Sequence, residues 1–95
     1  MLFSNHAVVA GTDKKGDVLI TFEIVGENDT NEIVIRSKVM RKYGEHITQL
    51  IKNVLMDYDI KSAKVDAQDF GAFDFAWTAR LITAIERWNQ KGVNQ

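Results

Sequence analysis

A chain of 95 residues with 45% hydrophobic and 26% charged residues has the composition of one globular domain, not of a disordered tail. Its formal net charge of −1, from 12 basic and 13 acidic residues scattered along the chain, leaves no basic stripe for a nucleic-acid binder. Without cysteine it has no disulfides and no thiol chemistry, and without proline its turns depend on Gly, Asn and Asp.

Met1 to His6 lacks the basic start and apolar run of a signal peptide, and no apolar stretch is long enough to span a bilayer. A cytoplasmic protein is expected. Ala7-Val8-Val9-Ala10 reads as a short strand ending at Gly11. Gly11-Thr12-Asp13-Lys14-Lys15-Gly16 then has the glycines and polarity of a hairpin connection. From Asp17 to Val25 the chain alternates, with Val18, Ile20, Phe22 and Ile24 on one face. A polar turn over Gly26 to Asn31 leads to a third strand marked by Ile33, Val34, Ile35 and Val39. Three adjacent strands joined by short turns suggest an antiparallel meander.

Near Met40 the period changes. Ile47, Leu50, Ile51, Val54, Leu55 and Tyr58 form the stripe of an amphipathic helix. Ser62 to Ala67 alternates again and reads as a fourth strand. A second helix follows with Trp77, Leu81, Ala84, Ile85 and Trp88 on one stripe, and Asp69 is its expected N-terminal acceptor. The order βββαβα implies an α+β fold: two layers, a mainly antiparallel sheet with two helices, in a single domain over residues 1–95.

Candidates for chemistry are sparse. His6 and His46 lack partners at metal-ligand spacing, and read as a terminal residue and a polar helix-face residue. Asp66, Asp69 and Asp74 could bind Mg²⁺ or exchange protons, but a strand position, a helix cap and a first helical turn account for them structurally. Asp69-Phe70-Gly71 spells a kinase triplet without the glycine-rich loop, lysine or catalytic loop that a kinase needs. Trp77 reads as core; Trp88 reads equally as core or as an anchor for a partner. No nucleophile stands beside a base, so a noncatalytic carrier, binding or scaffold module is expected.

Three stretches in order, A-V-V-A-G-T-D-K-K-G-D-V-L-I from Ala7, S-K-V-M-R-K-Y-G-E-H-I from Ser37 and V-D-A-Q-D-F-G-A-F-D-F-A-W-T-A-R-L from Val65, resemble the acyl carrier protein (gamma subunit) family of citrate lyase. The carrier of malonate decarboxylase is a more distant likeness. The resemblance implies a subunit that carries acetyl and citryl thioesters on a 2'-(5''-phosphoribosyl)-3'-dephospho-CoA arm and serves separate acyl-transferase and lyase subunits. An exposed turn suits such an arm, because it tolerates a bulky group that must reach several sites.

The family pattern of A-G-T, a short loop and then G-D or S-D aligns Thr12, Gly16 and Asp17, and sets Lys15 where the modified serine stands. Lysine has no hydroxyl for a phosphodiester. Thr12, the loop's only hydroxyl, matches a threonine that is not the attachment point, and Ser4, Ser37 and Ser62 lie outside the loop. The resemblance then leaves a subunit that kept the fold and lost the arm, a group carried through Thr12 or Lys15 instead, or a serine replaced by design. A standalone interaction or scaffold module is the alternative.

Overall fold

The computed structural model describes residues 7–26 and 30–93. His6 and Ser4, and the middle of the predicted turn over Gly26 to Asn31, lie outside the described residues. The elements run β1 (Val8–Gly11), β2 (Val18–Ile24), β3 (Glu32–Arg36), α1 (Met40–Asp57), β4 (Ala63–Asp69) and α2 (Asp74–Val93), the α+β order expected.

Period decides which faces are buried. In β2, Val18, Ile20 and Phe22 are buried, and in β4 Ala63, Val65 and Ala67 are buried while Lys64 and Gln68 face out. Both helices cover that one face: α2 packs on β1 and β2, and α1 on β3 and on α2. Ile47, Ile51, Val54 and Leu55 of α1 and Trp77, Leu81, Ala84 and Ile85 of α2 complete the core. Trp88, partly buried, meets the Phe22 ring edge-on with centroids 6.3 Å apart, so it belongs with the core. No helix among the described residues is long and apolar enough to cross a membrane.

The meander does not form. The strand order is β1-β2-β4-β3, with β1, β2 and β4 antiparallel in turn and β3 parallel to β4. Asn31 shows why β3 sits beside β4: its side-chain amide donates to the Ile60 carbonyl (3.0 Å) and its Oδ1 accepts the Ala63 N–H (2.8 Å). The backbone after β2 is tied to the same place, since Val25 N–H donates to the Ser62 carbonyl (2.9 Å). β4 therefore enters between β2 and β3 after α1 has crossed the sheet, the long connection that a parallel pair requires.

Several boundaries also move. Val39 is not in β3 but at the N-cap of α1, because its N–H donates to the Ser37 hydroxyl and turns the chain after Arg36. Helix α1 closes on Asp59 in the left-handed region (φ 57°), with Ile60 N–H donating to the Leu55 carbonyl and Asp59 N–H to that of Met56. Strand β4 runs on to Asp69, so Asp69 does not begin α2; the Phe73 carbonyl accepts the first helical N–H groups, those of Ala76 and Trp77.

Gly11 is the tightest point of the β1–β2 hairpin. Its φ is 97°, and a Cβ there would lie 1.8 Å from the Val18 carbonyl oxygen, a rigid backbone atom. Gly11→Ala is expected to destabilise the fold by roughly 3 kcal/mol or more, measured by urea denaturation. A loss below about 1 kcal/mol would contradict this geometry.

Candidate functional site

The segments between β1 and β2, β3 and α1, and β4 and α2 converge at one end of the sheet. Asp17 joins the first of them to α2. Its Oδ2 accepts the Thr12 N–H (3.1 Å) and the Thr12 hydroxyl (2.7 Å), and its Oδ1 accepts the Val18 N–H (2.7 Å). Arg80 reaches across from α2 and donates from Nε to Oδ1 and from Nη2 to Oδ2, each at 3.0 Å. This is a fork-to-fork pair, and its carboxylate side is largely covered, with 14% of the Asp17 side chain exposed. The Arg80 hydrogen bonds foremost, then those from Thr12 and Val18, hold the Asp17 carboxyl well below the usual carboxylate range.

Backbone pairing joins the hairpin to the β4–α2 segment. Gly16 N–H donates to the Phe70 carbonyl (2.6 Å) and Phe70 N–H to the Asp17 carbonyl (2.9 Å). Asp69-Phe70-Gly71 is thus a sheet extension, and Gly71 (φ 98°) lies against the Gly16 backbone. Asp69 organises its own loop: Oδ1 accepts the N–H groups of Gly71 and Ala72, and Oδ2 accepts the Ser37 hydroxyl (2.7 Å). That last bond brings the β3–α1 turn to the other two segments.

Of the residues marked by the sequence, Thr12, Lys15, Gly16 and Asp17 do stand together, but in different roles. Asp17 is the hub and Gly16 the turn (φ 88°). Thr12 is committed to structure, since its hydroxyl donates to Asp17 and accepts the Lys14 N–H (3.2 Å). Lys15 is exposed on the loop and lines a groove of about 1380 Å³ with Ser37, Val39, Tyr43, Phe73 and Trp77. Phe73 and Phe75 stack there with centroids 5.9 Å apart, although 71% and 74% exposed.

The acidic trio is not one site. Asp66 takes a bidentate pair from Arg36 (2.9 and 3.1 Å), Asp69 holds the loop, and Asp74 accepts from Nε2 of His46 (2.6 Å). Among the described residues no three His, Cys, Asp or Glu side chains are placed to hold a metal ion. Sequence reading missed the Arg80–Asp17 pair, the His46–Asp74 link between the helices and the exposed Phe73–Phe75 stack. Arg80 was visible in the A-R-L that ends the third stretch, three residues beyond Trp77, with no local signal to pair it with Asp17.

This end of the molecule is a braced hairpin with lysines facing outward beside an apolar groove, a surface suited to presentation and contact. Comparison with known proteins defines the class as acyl carrier. The chain belongs to the family described as malonate decarboxylase delta subunit (MdcD), whose model matches residues 5–88. It is 40% identical over 92 residues to the citrate lyase acyl carrier protein of Streptococcus pyogenes serotype M4, covering 95% of this chain and 85% of that one. With the citrate lyase acyl carrier protein of Halothermothrix orenii it shares 36% identity over 78 residues, 82% of this chain and 81% of that one. The fold also matches a chain in the crystal structure of a Pseudomonas malonate decarboxylase hetero-tetramer in complex with malonate. There the TM-score is 0.62 at 19% identity, over 87% of this chain and 84% of that one.

Because the Asp17 carboxyl titrates lower when folded, its contribution to stability is complete above the ordinary value of 3.8. It is lost progressively as pH falls below that value toward the lowered one. Asp17→Asn is expected to lower stability at neutral pH and to flatten the decline below about pH 4, read from urea midpoints across a pH series. An unchanged acid decline in Asp17→Asn would contradict the assignment.

Proposed function

We propose that this chain is a noncatalytic subunit of a multi-subunit lyase or decarboxylase of the citrate lyase and malonate decarboxylase type. In this reading the hairpin end carrying Lys15 is the face offered to the acyl-transferase and lyase subunits, and it bears no phosphodiester-linked arm. The observation that carries the reading is the chemistry of the loop. Lys15 supplies an amine where the family resemblance calls for a hydroxyl. The loop's only hydroxyl, on Thr12, is 2.7 Å from Asp17 and braces the turn, and the Ser37 hydroxyl lining the same groove donates to Asp69.

The residues present therefore do not fit a 2'-(5''-phosphoribosyl)-3'-dephospho-CoA group joined through oxygen. Freeing Thr12 would remove a donor from the carboxylate that ties the hairpin to α2. What remains is support for docking: a preorganised turn, an exposed cation, and the Phe73–Phe75 stack beside it. Rigid presentation lowers the ordering cost of association. A subunit of this kind acts as a scaffold or regulator among partners that carry out the chemistry.

Intact mass spectrometry after co-expression with the prosthetic-group transferase of a citrate lyase system tests the reading. The wild-type chain is expected to keep its unmodified mass, and Lys15→Ser to gain the mass of one arm. A wild-type chain that gains that mass, on Thr12 or on Lys15, would overturn the armless reading.

A further inference from the structure

The two edges of the sheet are finished differently. Strand β1 is covered by α2, where Arg87 donates from Nη1 to the Val9 carbonyl (2.6 Å). Strand β3, at the other edge, pairs with β4 on one side, and its outer side meets no strand among the described residues. β3 is also held rigid. Asn31 fixes its start to the start of β4, and Ser37, one residue past its end, is hydrogen-bonded to Asp69. A straight edge of unpaired N–H and C=O groups is a template for strand addition.

The residues on this edge specify a partner. β3 reads Glu32-Ile33-Val34-Ile35-Arg36, an acid at one end, a base at the other and β-branched residues between. Laid antiparallel on a copy of itself about Val34, it sets Glu32 opposite Arg36 of the second copy at both ends. The same register sets Ile33 opposite Ile35 and Val34 opposite Val34. Period places Glu32, Val34 and Arg36 on the open face with Lys64 and Gln68, and Ile33 and Ile35 toward the helices, where they already pack on the core. Arg36 gives two donors to Asp66 and has others left for a second carboxylate. Glu32 forms no ion pair among the described residues.

We propose that β3 is a self-association edge, through which two copies of this chain join antiparallel about Val34 into one continuous sheet. The contact is isologous, so it closes at a dimer and blocks further edge growth. Opposite charges across each end favour this register. A slip by one residue would set Ile33 and Ile35 of one copy level with open-face residues of the other, placing the two helical layers on opposite sides of the joined sheet. The hairpin ends carrying Lys15 stay clear of β3 and point away from each other at the two ends of the joined sheet, since the strands of the copies run in opposite directions.

The chain has no cysteine, so a single introduced thiol reports the geometry directly. In the paired edge Val34 faces its counterpart with Cβ atoms about 4.5–5.5 Å apart, at the outer limit of disulfide geometry, so that a small movement of the two strands brings introduced thiols into bonding range. Under mild oxidation Val34→Cys is expected to give covalent dimer much faster than Met56→Cys, a 71% exposed control on α1. Sedimentation equilibrium of the unmodified full chain is expected to show a monomer–dimer equilibrium. Glu32→Arg should weaken it about tenfold by setting like charges opposite, while Glu32→Gln, which removes the attraction without adding repulsion, should weaken it less. A monomer at every concentration, equal crosslinking of the two cysteine variants, or undiminished association of Glu32→Arg would each overturn the proposal.

Discussion

The carboxylate of Asp17 is the point on which this end of the molecule depends. It receives a main-chain and a hydroxyl hydrogen bond from Thr12, the amide of Val18 and the fork of Arg80. A carboxylate so supplied with donors is held ionised, and each donor in turn is fixed in place. The hairpin is thereby fastened to α2, which also carries Trp77 and Leu81 into the core. Through Gly16 and Phe70 the same hairpin is laid against the β4–α2 segment, and through Asp69 and Ser37 that segment holds the start of α1. A polar network thus aligns three connections that the apolar core alone would leave free to shift.

Much of the fold was legible in the sequence because burial imposes a period. The alternation of Val18, Ile20 and Phe22 and the stripes through Ile47 to Leu55 and Trp77 to Ile85 each marked an element correctly. Strand neighbours were not legible. Nothing in the alternation of Ile33 and Ile35 says whether they flank β2 or β4. The choice rests on Asn31, whose side chain meets Ile60 and Ala63 some thirty positions away. Asp69 misled for a related reason: an aspartate ahead of a helix looks like its cap, yet this one closes the loop before the helix and binds Ser37.

The site was legible as a place and less so as a device. The run from Gly11 to Asp17 reads as a turn because two glycines bracket polar residues, and both adopt positive φ. Its partner Arg80 lies 63 residues away, so no local pattern could pair it with Asp17. Membership of the acyl-carrier family gives these residues a context, and the proposed loss of the arm rests on the resemblance that sets Lys15 at the attachment position. The bonds that brace the loop also occupy the Thr12 hydroxyl, which donates to Asp17 and accepts from Lys14.

Amide hydrogen exchange in Arg80→Gln tests the central role of the Asp17 clamp most directly. The account expects faster exchange at Thr12, Gly16, Asp17 and Val18, with the amides of mid-strand Ile20 and Val65 as protected as in the unaltered chain. Unchanged protection across the hairpin would contradict it, because the loop would then hold its shape without the bond from α2.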